Sequence, residues 1–241
     1  MKRLKIQLLS KLQKEIIIGS LLGDGSLEKS GFHFRFSEEH SIKQKEYLYW
    51  KYNFLKSLCD KRPKTINRKN FVSVRLRTQT GNEFDKLRKL WYKNRHKSIP
   101  CGLKLSPLML GVWFMDDGDF SVRYRRIRIS TMGFNKKENI FLRDRLKKDL
   151  GIVAKVAKEG KYYRLIISRR ENVEKFIKSV VSFVPKTMRY KVNLLPYKNK
   201  PYHKTQSVSC EICGRKIINF FSQRQKFCSQ DCYHISRKEK V

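Results

Sequence analysis

No apolar run in this chain approaches the roughly 20 residues that a membrane-spanning helix requires. The longest, around Ile16 to Leu22 and Leu108 to Met115, are less than half that length, which excludes a spanning helix on sequence grounds. The N-terminal MKRLKIQLLSKLQKEIII has basic residues but no uninterrupted apolar core before a small-residue cleavage site, so no secretory signal is expected. Cysteine is sparse over most of the chain: Cys59 and Cys101 stand alone, and the other four of the six fall in the last 32 residues. That is not the framework of a secreted disulfide protein, and an intracellular, reducing compartment (cytoplasm, nucleoid or organelle matrix) is expected.

Acids are scarce as well. The 241 residues include 56 Lys and Arg against 21 Asp and Glu, a formal net charge of +35. The expected partner is therefore a polyanion. An anionic membrane would call for a long helix with Lys on one face and Trp or Leu on the other, and none is visible. Nucleic acid remains, with a ribosomal-type structural role as the plainest version. What the chain has in quantity is core material: 40% apolar residues, with 15 Phe, 11 Tyr and 3 Trp, exclude wholesale disorder.

The chain repeats itself. Two short apolar helical segments, Ile16-Ile-Ile-Gly-Ser-Leu-Leu-Gly-Asp24-Gly25 and Leu108-Met-Leu-Gly-Val-Trp-Phe-Met-Asp-Asp117-Gly118, end alike, with Asp24 and Asp117 93 residues apart. Each is followed by alternating residues that read as a strand (Phe32 to Phe36; Arg126 to Ser130) and then by a helical pattern (Lys43 to Leu55; Glu138 to Leu146). Further strands (Phe71 to Arg77; Tyr162 to Ser168) and helices (Glu83 to Tyr92; Asn172 to Val181) complete each half. The expected class is α+β, a duplicated αββαββα unit with halves at 1–103 and 104–197 and a small module at 198–241.

On these strands Arg35, Arg75, Arg77, Arg123, Arg125, Arg128 and Arg164 alternate with apolar residues. For any one strand that describes a solvated face. Repeated in both halves, it describes a surface for double-stranded DNA, whose major groove admits a two-stranded ribbon.

An Asp-Gly pair after a helix is ordinarily a terminator. An aspartate there, however, faces the negative end of the helix dipole at a cost of about 0.3–1 kcal/mol, and here it does so twice, so something cationic should offset it. Gly19 and Gly23 lie on one face, where another backbone can approach closely. If the two helices pack about a pseudo-twofold axis, Asp24 and Asp117 emerge side by side, and two carboxylates about 4 Å apart repel by on the order of 1–4 kcal/mol. Divalent cations would turn that repulsion into a site, and carboxylate ligands suit Mg²⁺.

At these residues the chain resembles the LAGLIDADG homing endonucleases in their single-chain, two-motif form. Ile17 to Gly25 is similar to the first motif, and Leu110 to Gly118 to the second in the branch carrying Trp-Phe-Met-Asp-Asp-Gly. The resemblance covers about Leu12 to Pro196. It implies a monomer whose two curved sheets straddle DNA, with Asp24 and Asp117 binding Mg²⁺ and each serving the cleavage of one strand. It also implies a basic residue near each centre: by position Lys97 and Lys191, which follow Asp24 and Asp117 by 73 and 74 residues.

The chain departs from the family pattern in two places. Val112 stands where the second motif usually has its interface glycine, with Gly111 one position early, which predicts a looser or shifted helix contact. Ser130-Thr-Met132 stands where many members carry Ser-Thr-Gln, whose Gln helps position water. In the first half Glu38 and Glu39 are both candidates for that place, a surface carboxylate being the expectation for each.

After a polar linker at 197–208, Cys210-x2-Cys213, 14 residues and Cys228-x3-Cys232 give four thiolates at spacings that suit tetrahedral, structural Zn²⁺. A segment this short scarcely folds without a metal or disulfides. It resembles the treble-clef-like fingers appended to nucleases, with Gly214 turning the knuckle and a helix starting near Cys228. With four Cys, His203 and His234 are not needed as ligands. The expected function is a site-specific, metal-dependent double-strand DNA endonuclease; the alternative is a maturase that binds intron RNA. An initiating Met and the lack of a terminal His-Asn are not the pattern of an intein.

Overall fold

The computed structural model describes residues 8–121, 124–192, 205–220 and 226–238. The chain divides into two compact units, Met1–Asn193 and Leu194–Val241. Within the first unit the order of elements is the same twice over. It runs α1 (Lys11–Leu22), β1 (Ser26–Ser30), β2 (His33–Ser41), α2 (Lys45–Leu55), β3 (Lys64–Arg68), β4 (Phe71–Arg77) and α3 (Asn82–Trp91). A two-stranded turn follows, β5 (Tyr92–Lys93) and β6 (His96–Lys97). The second pass is α4 (Pro107–Asp117), β7 (Gly118–Ser121), β8 (Arg126–Ser130), α5 (Lys136–Leu150), β9 (Lys155–Glu159), β10 (Tyr162–Ile167) and α6 (Arg170–Val180). The duplicated αββαββα order expected from the repeat is present. Its sheets are four-stranded and antiparallel, ordered β1-β2-β4-β3 and β7-β8-β10-β9.

Local sequence explains where the two motif helices start. Ser10 caps α1 in a reciprocal capping box with Gln13, and Ser106 caps α4 with Pro107 in the first turn. Both helices are apolar on most sides because both are buried: Ile16, Ile17, Leu21 and Leu22 in one, Leu110, Val112, Trp113 and Phe114 in the other. They pack on each other through the small residues of α1. A Cβ on Gly19 would lie 2.8 Å from both Met109 O and Val112 Cβ, and one on Gly23 would lie 2.5 Å from Asp116 Cβ. Val112 and Asp116 are thus the residues that Gly19 and Gly23 make room for.

The departure at Val112 has the opposite consequence from a loosened contact. With glycine already on the α1 side, valine on the α4 side fills the space, whereas a Cβ on Gly111 would meet Phe183 and Val180 at an ordinary 3.6–3.7 Å. The remaining helices cover one face of each sheet: α2 and α3 on the first, α5 on the second, and α6 against α4. Alternation along β8 leaves Ile127 and Ile129 in the core with Arg126, Arg128 and Ser130 half-buried on the other side.

The second unit holds a hairpin, β11 (Thr205–Ser209) and β12 (Lys216–Phe220), and a helix, α7 (Gln230–Lys238). Cys210 opens a tight turn in which Gly214 takes φ +69° and donates its N–H to Cys210 O at 3.0 Å. Most of the linker before β11, including His203, lies outside the described residues.

Candidate functional site

The two motif helices end where the two sheets begin. Asp24 follows the last turn of α1 with its side chain 42% exposed, and Asp117 closes α4. Each helix end is met by one of the lysines expected from the repeat. Lys97, carried on β6 by a hairpin whose turn residues Asn94 and Arg95 both have positive φ, donates to Gly23 O and Gly25 O, 2.8 Å each, bracketing Asp24. Lys191, in a 3-10 helix spanning Lys186–Lys191, donates to Met115 O at 2.5 Å and Asp116 O at 3.3 Å. Gly23 O, Met115 O and Asp116 O lie at the negative ends of the dipoles, so a cationic offset to the repeated aspartates is present in both halves. Burial depresses both ammonium pKa values, with Asp117, Asp116 and Asp24 pulling them back up.

Asp117 feels the acids around it. Burial first, then the charges of Asp24 and Asp116, push the Asp117 carboxyl up to about 7, Lys97 and Lys191 offsetting only part of this. A carboxylate so raised, beside others of the same charge, favours an added cation. Asp24, His40 and Asp116 also offer ligand atoms within 4.8 Å of one another. Asp116 is nevertheless already committed: its Oδ1 accepts from Tyr47 OH at 2.7 Å and Lys51 Nζ at 2.8 Å, and its Oδ2 from Lys51 at 3.0 Å. Asp24 and Asp117, outside that buried network of hydrogen bonds, offer carboxylate oxygens of the kind that suit a hard divalent ion.

Sequence reasoning missed the cluster around Asp116. Lys51 is fully buried and also donates to Ser20 Oγ at 2.8 Å and Glu38 Oε1 at 2.5 Å. The same Glu38 oxygen meets His40 Nε2 at 2.7 Å, and His40 Nδ1 lies 3.7 Å from Asp24 Oδ2. Burial is the largest influence on both acids. In Glu38, Lys51 and His40 overcome it and lower the pKa to about 2, while Asp116 ends raised, to about 6. The surface position expected of Glu38 is corrected: its place on β2 turns it inward with Phe36 and His40, where Lys51 neutralises it. Glu39 faces the other way, onto the basic face, taking Arg68 and Arg75 at 2.5 Å each. His40, not either glutamate, is what β2 brings beside Asp24. A signal for the cluster was present: Tyr47, Leu48, Lys51 and Leu55 form the buried stripe of α2, so Lys51 occupies a core position of the helical pattern.

Five of the seven expected arginines lie on strands, and each of them is paired with an acid. Arg35 and Arg77 share Glu28 at 2.6 and 2.8 Å, Arg75 takes Glu39, Arg128 takes Asp119 at 2.8 Å, and Arg164 pairs with Glu159. Arg125 sits in the turn before β8 with φ +45°, rather than on a strand, and Arg123 lies outside the described residues. The basic face of the first sheet opens into a groove of about 370 Å³ lined by Arg35, Arg62, Lys64, Arg75 and Arg77.

In the second unit the four Cys sulfurs lie within 4.8 Å of one another, with Cys213 and Cys228 3.4 Å apart and Cys228 and Cys232 3.5 Å. Backbone N–H groups of Cys213 and Ile212 outweigh desolvation and lower the Cys210 thiol to about 6, toward the thiolate that a metal takes.

Two copies of one helix-and-sheet unit, joined through helices that each end in a carboxylate beneath a lysine-capped carbonyl, define a pseudo-dimeric α+β protein. The model of the LAGLIDADG DNA endonuclease family matches residues 14–176, and the chain belongs to that family. It is similar to the homing endonuclease I-WcaI bound to its DNA recognition sequence, with 25% identity and a TM-score of 0.71 over 77% of this chain and 88% of that one. It is 29% identical to protein RecA of Mycolicibacterium flavescens over 78% of this chain and 47% of that protein, so it spans about half the length of that relative. It is also 29% identical to the cytochrome b mRNA maturase bI2 of Debaryomyces hansenii, over 76% of this chain and 74% of the maturase. Among the described residues no helix is long and apolar enough to cross a membrane.

Proposed function

We propose that this chain is a site-specific double-strand DNA endonuclease that acts as a monomer, because one chain carries both halves of the site. The observation that carries the reading is the placement of Asp24 and Asp117 at the ends of two packed helices, close enough that Asp24 raises the Asp117 carboxyl, each with a lysine on the carbonyls beside it. In this reading Asp24 and Asp117 hold Mg²⁺, which when bound supplies Lewis-acid stabilisation of the phosphate and a readily ionised water. The two carboxylates orient water for in-line attack at one strand each. Lys97 spends two of its three ammonium protons on Gly23 O and Gly25 O, and the third is left to meet charge developing on a phosphate oxygen. The carboxylate-braced arginines bind the duplex: Glu28, Glu39, Asp119 and Glu159 hold the guanidinium planes oriented before DNA arrives.

Four thiolates at 210, 213, 228 and 232 hold a structural Zn²⁺ in the second unit. Incubating the chain with Mg²⁺ and a plasmid library carrying randomised duplex inserts tests the reading. Recovery of linearised plasmids sharing one sequence supports it, and absence of any Mg²⁺-dependent cleavage contradicts it. The likeness to the cytochrome b mRNA maturase favours a second reading, an intron-RNA maturase, which predicts tighter binding to a structured intron RNA than to any duplex recovered from the library.

A further inference from the structure

Six aromatic side chains stand exposed among the described residues: Phe32, Phe71, Tyr124, Tyr162, Tyr190 and Tyr233. Four of them occupy the four hairpin turns of the two large sheets. Phe32 is in the β1–β2 turn and 98% exposed, and Phe71 leads β4 out of the β3–β4 turn. Tyr124 is in the β7–β8 turn, and Tyr162 leads β10 out of the β9–β10 turn. Phe32 and Tyr124 are 92 residues apart and Phe71 and Tyr162 91, close to the offset of the repeat itself. The β1–β2 and β9–β10 turns do not need these rings, since Gly31 and Gly160, with φ +62° and +58°, supply the backbone conformation there. Cations accompany them: Lys161 lies 5.2 Å over the Tyr162 ring and Arg126 4.7 Å over that of Tyr124.

Strand register fixes how far apart the tips lie. Ser73 pairs with Ser41, so Phe71 falls level with position 43, at the opposite end of the sheet from Phe32. In the other half Arg164 pairs with Ser130, so Tyr162 falls level with position 132, away from Tyr124. At about 3.3 Å per residue the two separations are about 36 and 26 Å, the first close to the roughly 34–36 Å turn of B-DNA and the second about three quarters of it. A duplex lying along either sheet would meet a ring near each end.

We propose that Phe32, Phe71, Tyr124 and Tyr162 are four contacts to duplex DNA, two per half, whose rings pack against deoxyribose and base edges and set the length of duplex covered. The proposal rests on the reading of the two sheets as duplex-lining faces. Insertion between base pairs is the poorer mode: opening a step costs a few kcal/mol, about what stacking on one base returns, whereas edge packing opens nothing. The twofold repetition of the rings matches a duplex, which presents equivalent edges to both halves, better than it matches the irregular loops of a folded RNA.

The test compares the full-length wild type with the quadruple variant Phe32→Ser, Phe71→Ser, Tyr124→Ser, Tyr162→Ser in Ca²⁺. Long random-sequence duplex is titrated to obtain affinity and the number of base pairs occluded per molecule. The expected result is an affinity lower by about tenfold or more, with several fewer base pairs occluded and an unchanged salt slope, because the arginines remain. The ring-preserving variant Phe32→Tyr, Phe71→Tyr, Tyr124→Phe, Tyr162→Phe should behave as wild type, and circular dichroism shows whether the serine variant is folded. An unchanged occluded length in a folded serine variant overturns the proposal. So does a loss confined to single-stranded dT30 and a bulged RNA hairpin, which assigns the rings to unpaired bases. A wild type that binds no duplex overturns the underlying reading instead.

Discussion

Lys51 Nζ lies 2.8 Å from Asp116 Oδ1, and the two residues belong to opposite halves of the duplicated unit. The pair ties α2 of the first half to the last turn of α4 in the second, one residue before Asp117. The first half has Gly23 where the second has Asp116, so only one of the two helix ends is fastened in this way.

Removing the cation from that cluster should be costly. Lys51→Met leaves Glu38 and Asp116 buried without their counter-charge, and a loss of about 3–5 kcal/mol in unfolding free energy is expected by chemical denaturation. The loss should be greater at pH 8 than at pH 5, because Asp116, raised to about 6, is protonated and neutral at the lower pH. Loss of less than about 1 kcal/mol at pH 8 would mean that the cluster contributes little.

The helix contact makes a second prediction. Gly19→Val puts a side chain onto Met109 O and Val112 Cβ and should cost about 1–3 kcal/mol or more. Gly102→Ala, where nothing lies within 4 Å, should be close to neutral in the same thermal melts.

Without metal, stability should depend on pH through Asp117. Its folded pKa of about 7 stands above the ordinary 3.8, so between those values the folded chain holds a proton that the unfolded chain has released. Stability from this group is therefore present below about pH 4 and lost as pH rises through 7, by on the order of a few kcal/mol. In EDTA, Asp117→Asn should flatten that part of the profile, and Mg²⁺ added to the wild type should restore stability above pH 7. A profile that rises from pH 4 to 7 in wild type and variant alike would contradict the assignment.

In the second unit, chelation should unfold what little the segment can bury. Cys210→Ser with Cys213→Ser should abolish bound zinc and make the chain beyond residue 194 sensitive to protease, while residues 8–192 keep their thermal transition. Equal resistance of variant and wild type would show that the module holds without the metal.

Much of this was legible in the sequence because it is periodic or repeated. The paired Asp-Gly ends, the Gly19 and Gly23 face, the alternation of Arg35, Arg75, Arg77, Arg128 and Arg164 and the 73- and 74-residue offsets to Lys97 and Lys191 are local or internal signals. Other features depend on contacts between distant segments. Nothing in sequence marks which acid each arginine will meet, since Glu39 reaches Arg75 only across the β2–β4 register. Lys51 was obscured by abundance, one lysine among many, although its place in the apolar stripe of α2 set it apart. Glu38 and Glu39 could not be told apart until the strand showed which of them turns inward.

The most direct measurement is strand-resolved cleavage of a plasmid carrying the selected target, in Mg²⁺, by wild type, Asp24→Asn, Asp117→Asn and the double variant. The account predicts that either single change abolishes double-strand cleavage while binding in Ca²⁺ is largely retained, and that the double variant cuts neither strand. Full cleavage by the double variant would contradict it.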